Sequence, residues 1–152
     1  MKLAEALQER ADLNRRIEEL RRRIGNNLLV QEGETTPEDP EQLLKELDEA
    51  ISRLEYLMAA INLTNSRTRV NGRSLTEIIA RKDALMIQVS AYRDFVYTSG
   101  QNTSRARGTE IRIRPVLKTT ELQKKADETA KEIRNLDNLL QETNWKTKLI
   151  EK

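Results

Sequence analysis

The 152-residue chain has no cysteine and no histidine. Without cysteine there are no disulfides and no thiolate chemistry. Without histidine, imidazole metal sites, histidine-based triads and the commonest general base are excluded. Catalysis would have to use carboxylates, lysine or a borrowed cofactor. Turn formers are scarce as well, at five glycines and three prolines, so a many-stranded fold with a turn every few residues is ruled out. One Trp, three Tyr and one Phe leave burial to aliphatic side chains. No long apolar run exists: the longest, YLMAAI from Tyr56 to Ile61, has six residues, against about 20 for a membrane span. Neither sign of charge dominates, since 27 basic and 25 acidic residues give a net +2. Interleaved charge of this kind covers solvated helix faces and is no strong nucleic-acid footprint. The opening MKLAEALQER is charged and amphipathic, with no apolar signal core, which predicts a cytoplasmic protein.

What remains is heptad periodicity. Leu13, Ile17, Leu20 and Ile24 alternate steps of four and three, with Leu3, Ala6 and Arg10 continuing backwards, so a first helix is predicted over about 2–24 and ends at Gly25-Asn26-Asn27. Pro40 after Asp39 starts a second helix over about 40–69. Its stripe of Leu44, Leu47, Ile51, Leu54, Met58 and Ile61 has the 3.5-residue period of a left-handed coiled-coil seam. The next seam positions fall on Asn65 and Thr68. Asn71-Gly72 is a turn signal and Ser74-Leu75-Thr76-Glu77 a capping box, so a third helix is predicted over about 75–97, antiparallel to the second. A fourth, over about 119–147, carries Leu122, Ala126, Ile133, Leu136 and Leu140, interrupted by Thr129 and Thr143.

Two segments, 25–39 and 98–118, read as loop or ribbon. Leu28–Gln31 and the alternating Glu110–Arg114 are predicted strands that pair. The expected fold is therefore mainly all-α: antiparallel long-helix hairpins, or a four-helix coiled-coil bundle, in one domain with a minor two-stranded ribbon at one end. Narrow stripes bury little area per residue, which points to a homo-oligomer.

With helices running alternately up and down, one end collects Asn62, Thr64, Asn65, Arg67, Arg69, Arg73, Arg81, Lys82, Asn144, Trp145, Lys146 and Lys148. Between 61 and 82 there are five bases and one acid. Such an end could hold a phosphate at the start of the third helix, with Trp145 as a stacking platform. The plainer reading, which we favour, makes Asn65 a register-setting polar layer and the cations complements to the helix dipole. Elsewhere, the acidic Glu32, Glu34, Glu38, Asp39 and Glu41 and the basic Arg105, Arg107, Arg112, Arg114 and Lys118 are expected to attract each other, within a chain or between subunits. Arg112 and Arg114 on one strand face could also meet RNA phosphates, without the aromatics that usually accompany them. The acids match no calcium-loop spacing. Asn62-Leu63-Thr64 and Asn102-Thr103-Ser104 match the glycosylation pattern by chance in a cytoplasmic chain.

MKLAEALQERADL, NNLLVQEGETTPEDP, INLTN, LTEIIARKD and ELQKKADETAKEIRNLDNLLQETNW span nearly the whole chain. On these strings, and on VQEG, INxTN and the NW near the C-terminus, the sequence resembles a small family of uncharacterised bacterial helical proteins, some labelled septicolysin. The resemblance implies a bacterial helical protein and carries no catalytic residues. Cholesterol-dependent cytolysins are much longer and β-rich, with a Trp-rich loop that usually contains cysteine; this chain has one Trp and no Cys.

The reading that results is a non-enzymatic, self-associating coiled-coil scaffold or interaction module without cofactor or metal, its partner itself or another protein. The alternative is nucleic-acid or anion binding through a basic end, and the third is a membrane-active lysin. Candidate binding residues are Asn62, Asn65, Arg67, Arg69, Arg81, Asn144, Trp145, Arg112 and Arg114.

Overall fold

The computed structural model describes residues 1–101 and 111–151. Arg105, Arg107, Glu110 and the Asn102-Thr103-Ser104 pattern lie outside them. The described chain is mainly α. In order come α1 (Leu3–Asn26), α2 (Pro40–Arg67), β1 (Arg69–Val70), β2 (Arg73–Ser74), α3 (Leu75–Ser99) and α4 (Thr119–Lys146). It divides into two compact units: Met1–Arg69 with Thr143–Lys152, and Val70–Glu142.

Helix starts follow from local hydrogen-bond chemistry. At α1 the Glu5 carboxylate accepts the backbone N–H of Lys2 at 2.6 Å. At α2 the Asp39 side chain accepts the N–H of Glu41 at 3.0 Å, and Pro40 fills the first turn. At α3 Ser74 and Glu77 form a reciprocal capping box, at 3.1 and 2.7 Å. Gly25 does not end α1, which runs one residue further to Asn26. The stop is Asn27, a buried side chain that donates to the Arg23 carbonyl (2.7 Å) and accepts the N–H of Glu38 (2.9 Å). One amide thus closes α1 and fixes the loop leading to α2.

In the first unit α1 and α2 are antiparallel, tied by Glu9–Arg53 (2.6 Å), while Arg23–Glu38 (2.5 Å) ties α1 to the loop before α2. The seam of α1 is as expected in position: Leu3, Ala6 and Leu20 are buried, with Leu13, Ile17 and Ile24 half-buried. The seam of α2 is not. Its core line is Leu43, Leu47, Ala50, Leu54, Leu57, Ile61 and Thr64, buried or half-buried throughout. This line has the same heptad period as the expected one and shares Leu47, Leu54 and Ile61. It replaces Leu44, Ile51 and Met58, which are 51%, 46% and 43% exposed. Two small residues, Ala50 and Thr64, let the helices approach at positions that a search for large aliphatics passes over.

In the second unit α3 and α4 are antiparallel, joined by Arg81–Glu132 (3.1 Å), Lys82–Asp137 (2.6 Å) and a Ser99–Thr119 hydroxyl pair (2.8 Å). Leu75, Ile78, Leu85 and Val89 of α3 and Leu122, Ala126, Thr129, Leu136 and Leu140 of α4 are the buried set. Thr129 stays in its seam because its hydroxyl donates to the Lys125 carbonyl at 2.8 Å, leaving no unsatisfied polar atom.

The ribbon lies elsewhere than expected. Leu28–Gln31 is irregular, and of the described residues 111–114 only Arg112 takes part in an isolated bridge. The two-stranded sheet among the described residues is β1–β2. Asn71 and Gly72 connect it with φ of 51° and 81°, the two positive values that a type I′ hairpin turn requires.

Candidate interaction surfaces

Thr64, fully buried, joins two segments of the first unit. Its hydroxyl donates to the Ala60 carbonyl (2.8 Å) and accepts the backbone N–H of Ile150 (2.8 Å). That second bond holds the C-terminal segment back across the helix ends. Leu3 N–H donates to Thr147 O and Leu149 N–H to Met1 O, both at 2.9 Å, with a bridge between Lys2 and Lys148. Leu149 is buried beneath. Farther along, the Tyr56 hydroxyl donates to Glu151 at 3.0 Å, and this bond to a carboxylate holds the phenol above its ordinary pKa. Arg53 stacks on the same ring at 5.4 Å while it grips Glu9 with two nitrogens, at 2.6 and 3.0 Å. That hydrogen-bonded pairing lowers the pKa of Glu9 and raises that of Arg53, with burial opposing both. One polar chain, Glu9–Arg53–Tyr56–Glu151, therefore links α1, α2 and the C-terminal segment.

Beside it runs a groove of about 390 Å³ lined by Tyr56, Ala59, Ala60, Asn62, Leu63 and Ser66. It is shallow and mostly apolar, with Asn62 and Ser66 as its polar members. Among the described residues no group of three or more Asp or Glu side chains could hold a metal ion. Among the described residues no helix is long and apolar enough to cross a membrane.

The nine candidate binding residues are shared between the units. Asn62 is exposed and lines the groove; Asn65 is half-buried, one position after the buried Thr64. Arg67 is the exposed last residue of α2, Arg69 sits exposed in β1, Asn144 is half-buried and Trp145 is half-exposed at the end of α4. Arg81, Arg112 and Arg114 belong to the second unit. There Arg81 is paired with Glu132, and Arg112 and Arg114 are exposed. The sequence places Thr64 at the polar end without assigning it a role, and carries no signal for Leu149 or for the polar chain through Arg53. The spacing Glu9/Arg53 carries no local signal, being 44 residues apart.

Two exposed apolar features remain. Leu44, Ile51 and Met58 form a heptad-spaced ridge along α2, one residue each about 10 Å. The connections between paired helices are apolar at the surface as well. Leu28, Leu29 and Val30 follow α1, and Ile113, Val116 and Leu117 precede α4.

The model of a "Family of unknown function (DUF6847)" matches residues 10–149, and the chain belongs to that family. Among solved structures, one described as a functionally unknown conserved protein from Corynebacterium diphtheriae is similar to it, with 36% identity, 99% of each chain covered and a TM-score of 0.92. Comparison with curated proteins gave no match.

Proposed function

We propose that this protein is a non-enzymatic, self-associating helical module, a scaffold or interaction protein whose first partner is a second copy of itself. The observation that carries the reading is the α2 ridge. Leu44, Ile51 and Met58 repeat every seven residues on a helix whose core line is already occupied by Leu43, Ala50 and Leu57. A helix with a second heptad line presents a surface on which another helix packs knobs-into-holes. Each such side chain, fully covered, contributes about 1.5–3 kcal/mol.

Sedimentation of the purified chain across the micromolar range, with and without nuclease, tests the reading. A self-associated species that survives nuclease supports it. A chain that stays a fully folded monomer throughout that range overturns it. Association that nuclease abolishes, with affinity falling steeply in salt, replaces it with nucleic-acid binding. Release of dye from liposomes replaces it with membrane lysis.

A further inference from the structure

We infer that the two helix-connecting segments dock on one another between copies: the acidic, apolar loop after α1 of one chain on the basic, apolar segment before α4 of a second. The inference rests on the self-association proposed above and adds to the α2 ridge a second contact surface.

The first segment runs from 28 to 41. Leu28, Leu29 and Val30 are three successive apolar side chains in irregular backbone, and Leu29 is 92% exposed. After them come Glu32, Glu34, Glu38, Asp39 and Glu41, with no base in the stretch. Glu38 is engaged by Arg23 and Asp39 caps α2. The side chains of Glu32, Glu34 and Glu41 have no ion pair among the described residues. The second segment runs from 111 to 118. Val116 is 99% exposed, with Ile113 and Leu117 also open to solvent. Its charges are Arg112, Arg114 and Lys118, with no acid, all three exposed and without an ion pair among the described residues.

Contiguous apolar side chains rimmed by charge of one sign mark a docking surface. Here the two surfaces match in both respects, apolar to apolar and acid to base. Leu29 and Val116 are almost fully exposed. Every copy carries one of each, so a second copy supplies the complement to both. Pairing in a two-fold dimer makes the same contact twice, and the charges fix which segment meets which.

Two full-length variants test this. The first reverses the acidic loop, Glu32→Arg with Glu34→Arg; the second reverses the basic segment, Arg112→Glu with Arg114→Glu. Each alone then faces like charge on its own kind, and self-association measured by sedimentation should weaken about tenfold or more at low salt. Mixed one to one, the variants restore both contacts and the wild-type affinity should return. Two results overturn the inference while leaving self-association standing: variants that associate as tightly as wild type, or a mixture that stays dissociated. A wild-type chain that is monomeric overturns both. Circular dichroism confirms folding, and all substitutions lie on exposed residues outside the helices. Flotation with anionic phospholipid vesicles completes the test. Binding lost only in the Arg112→Glu, Arg114→Glu variant, with self-association unchanged, assigns the basic segment to a membrane surface instead and overturns docking between copies.

Discussion

Thr64 makes one hydroxyl serve two backbones, donating to Ala60 in its own helix and accepting from Ile150 in the returning C-terminal segment. Thr64→Val keeps the shape and removes both bonds, leaving the Ile150 N–H without an acceptor. An unsatisfied buried donor costs about 1–3 kcal/mol, so chemical denaturation should show a loss in that range, with Thr64→Ser close to wild type. A loss no larger than that of an exposed residue such as Ser66→Ala would refute the role. Gly25 is a residue-scale case of opposite sign. It lies within α1 at an ordinary backbone angle, and a Cβ added there meets nothing within 4 Å. Gly25→Ala should therefore stabilise the protein by about 0.5–1 kcal/mol, through lower entropy of the unfolded chain and better helix propensity. Gly72, at φ 81°, should respond the other way, since alanine is strained there.

Among the elements, α2 shows both what the sequence reveals and what it hides. Helix limits, caps and period could be read from Asp39-Pro40, from Ser74 to Glu77 and from the apolar steps, because those signals are local. The seam could not, since α2 has three adjacent apolar lines: Leu43-Ala50-Leu57, Leu47-Leu54-Ile61 and Leu44-Ile51-Met58. Any two neighbouring lines make a valid heptad, and only packing against α1 selects between them. The same limit explains the misplaced ribbon. Alternation in EIRIRPV outweighed Asn71-Gly72, although the latter pair carries the stronger hairpin chemistry. The site residues were least legible of all, since partners such as Glu9 and Arg53 meet only through the fold. Substitution settles the seam at this scale. Leu57→Ala should cost about 2–5 kcal/mol as a buried truncation, whereas Ile51→Ala should cost under about 1 kcal/mol in the monomer, its lost burial offset by alanine's helix propensity. Equal losses in urea titrations would return Ile51 to the core line.

At the scale of the whole molecule the absence of histidine acquires a consequence. No side chain type in the chain has an ordinary pKa between about 5 and 8, so folding stability should be nearly flat across that window. Acid is different. Hydrogen bonding from Arg53 and Arg23 holds the carboxyls of Glu9 and Glu38 below their ordinary pKa, against the opposing effect of burial. A carboxyl depressed in the folded state binds its proton more readily when unfolded. Its stabilisation is therefore complete above the unfolded value, about 4.3 for glutamate, and is lost as pH falls through the lower folded value. Both pairs are solvent-accessible, so each contributes modestly. Thermal unfolding followed from pH 8 to pH 2.5 should give a plateau and then a fall that begins below about pH 5. Glu9→Gln should lower the plateau slightly and make the acid limb shallower, because one titrating contribution is gone. An acid limb that is unchanged in Glu9→Gln combined with Glu38→Gln would mean that these two pairs do not couple protonation to the α1–α2 fold.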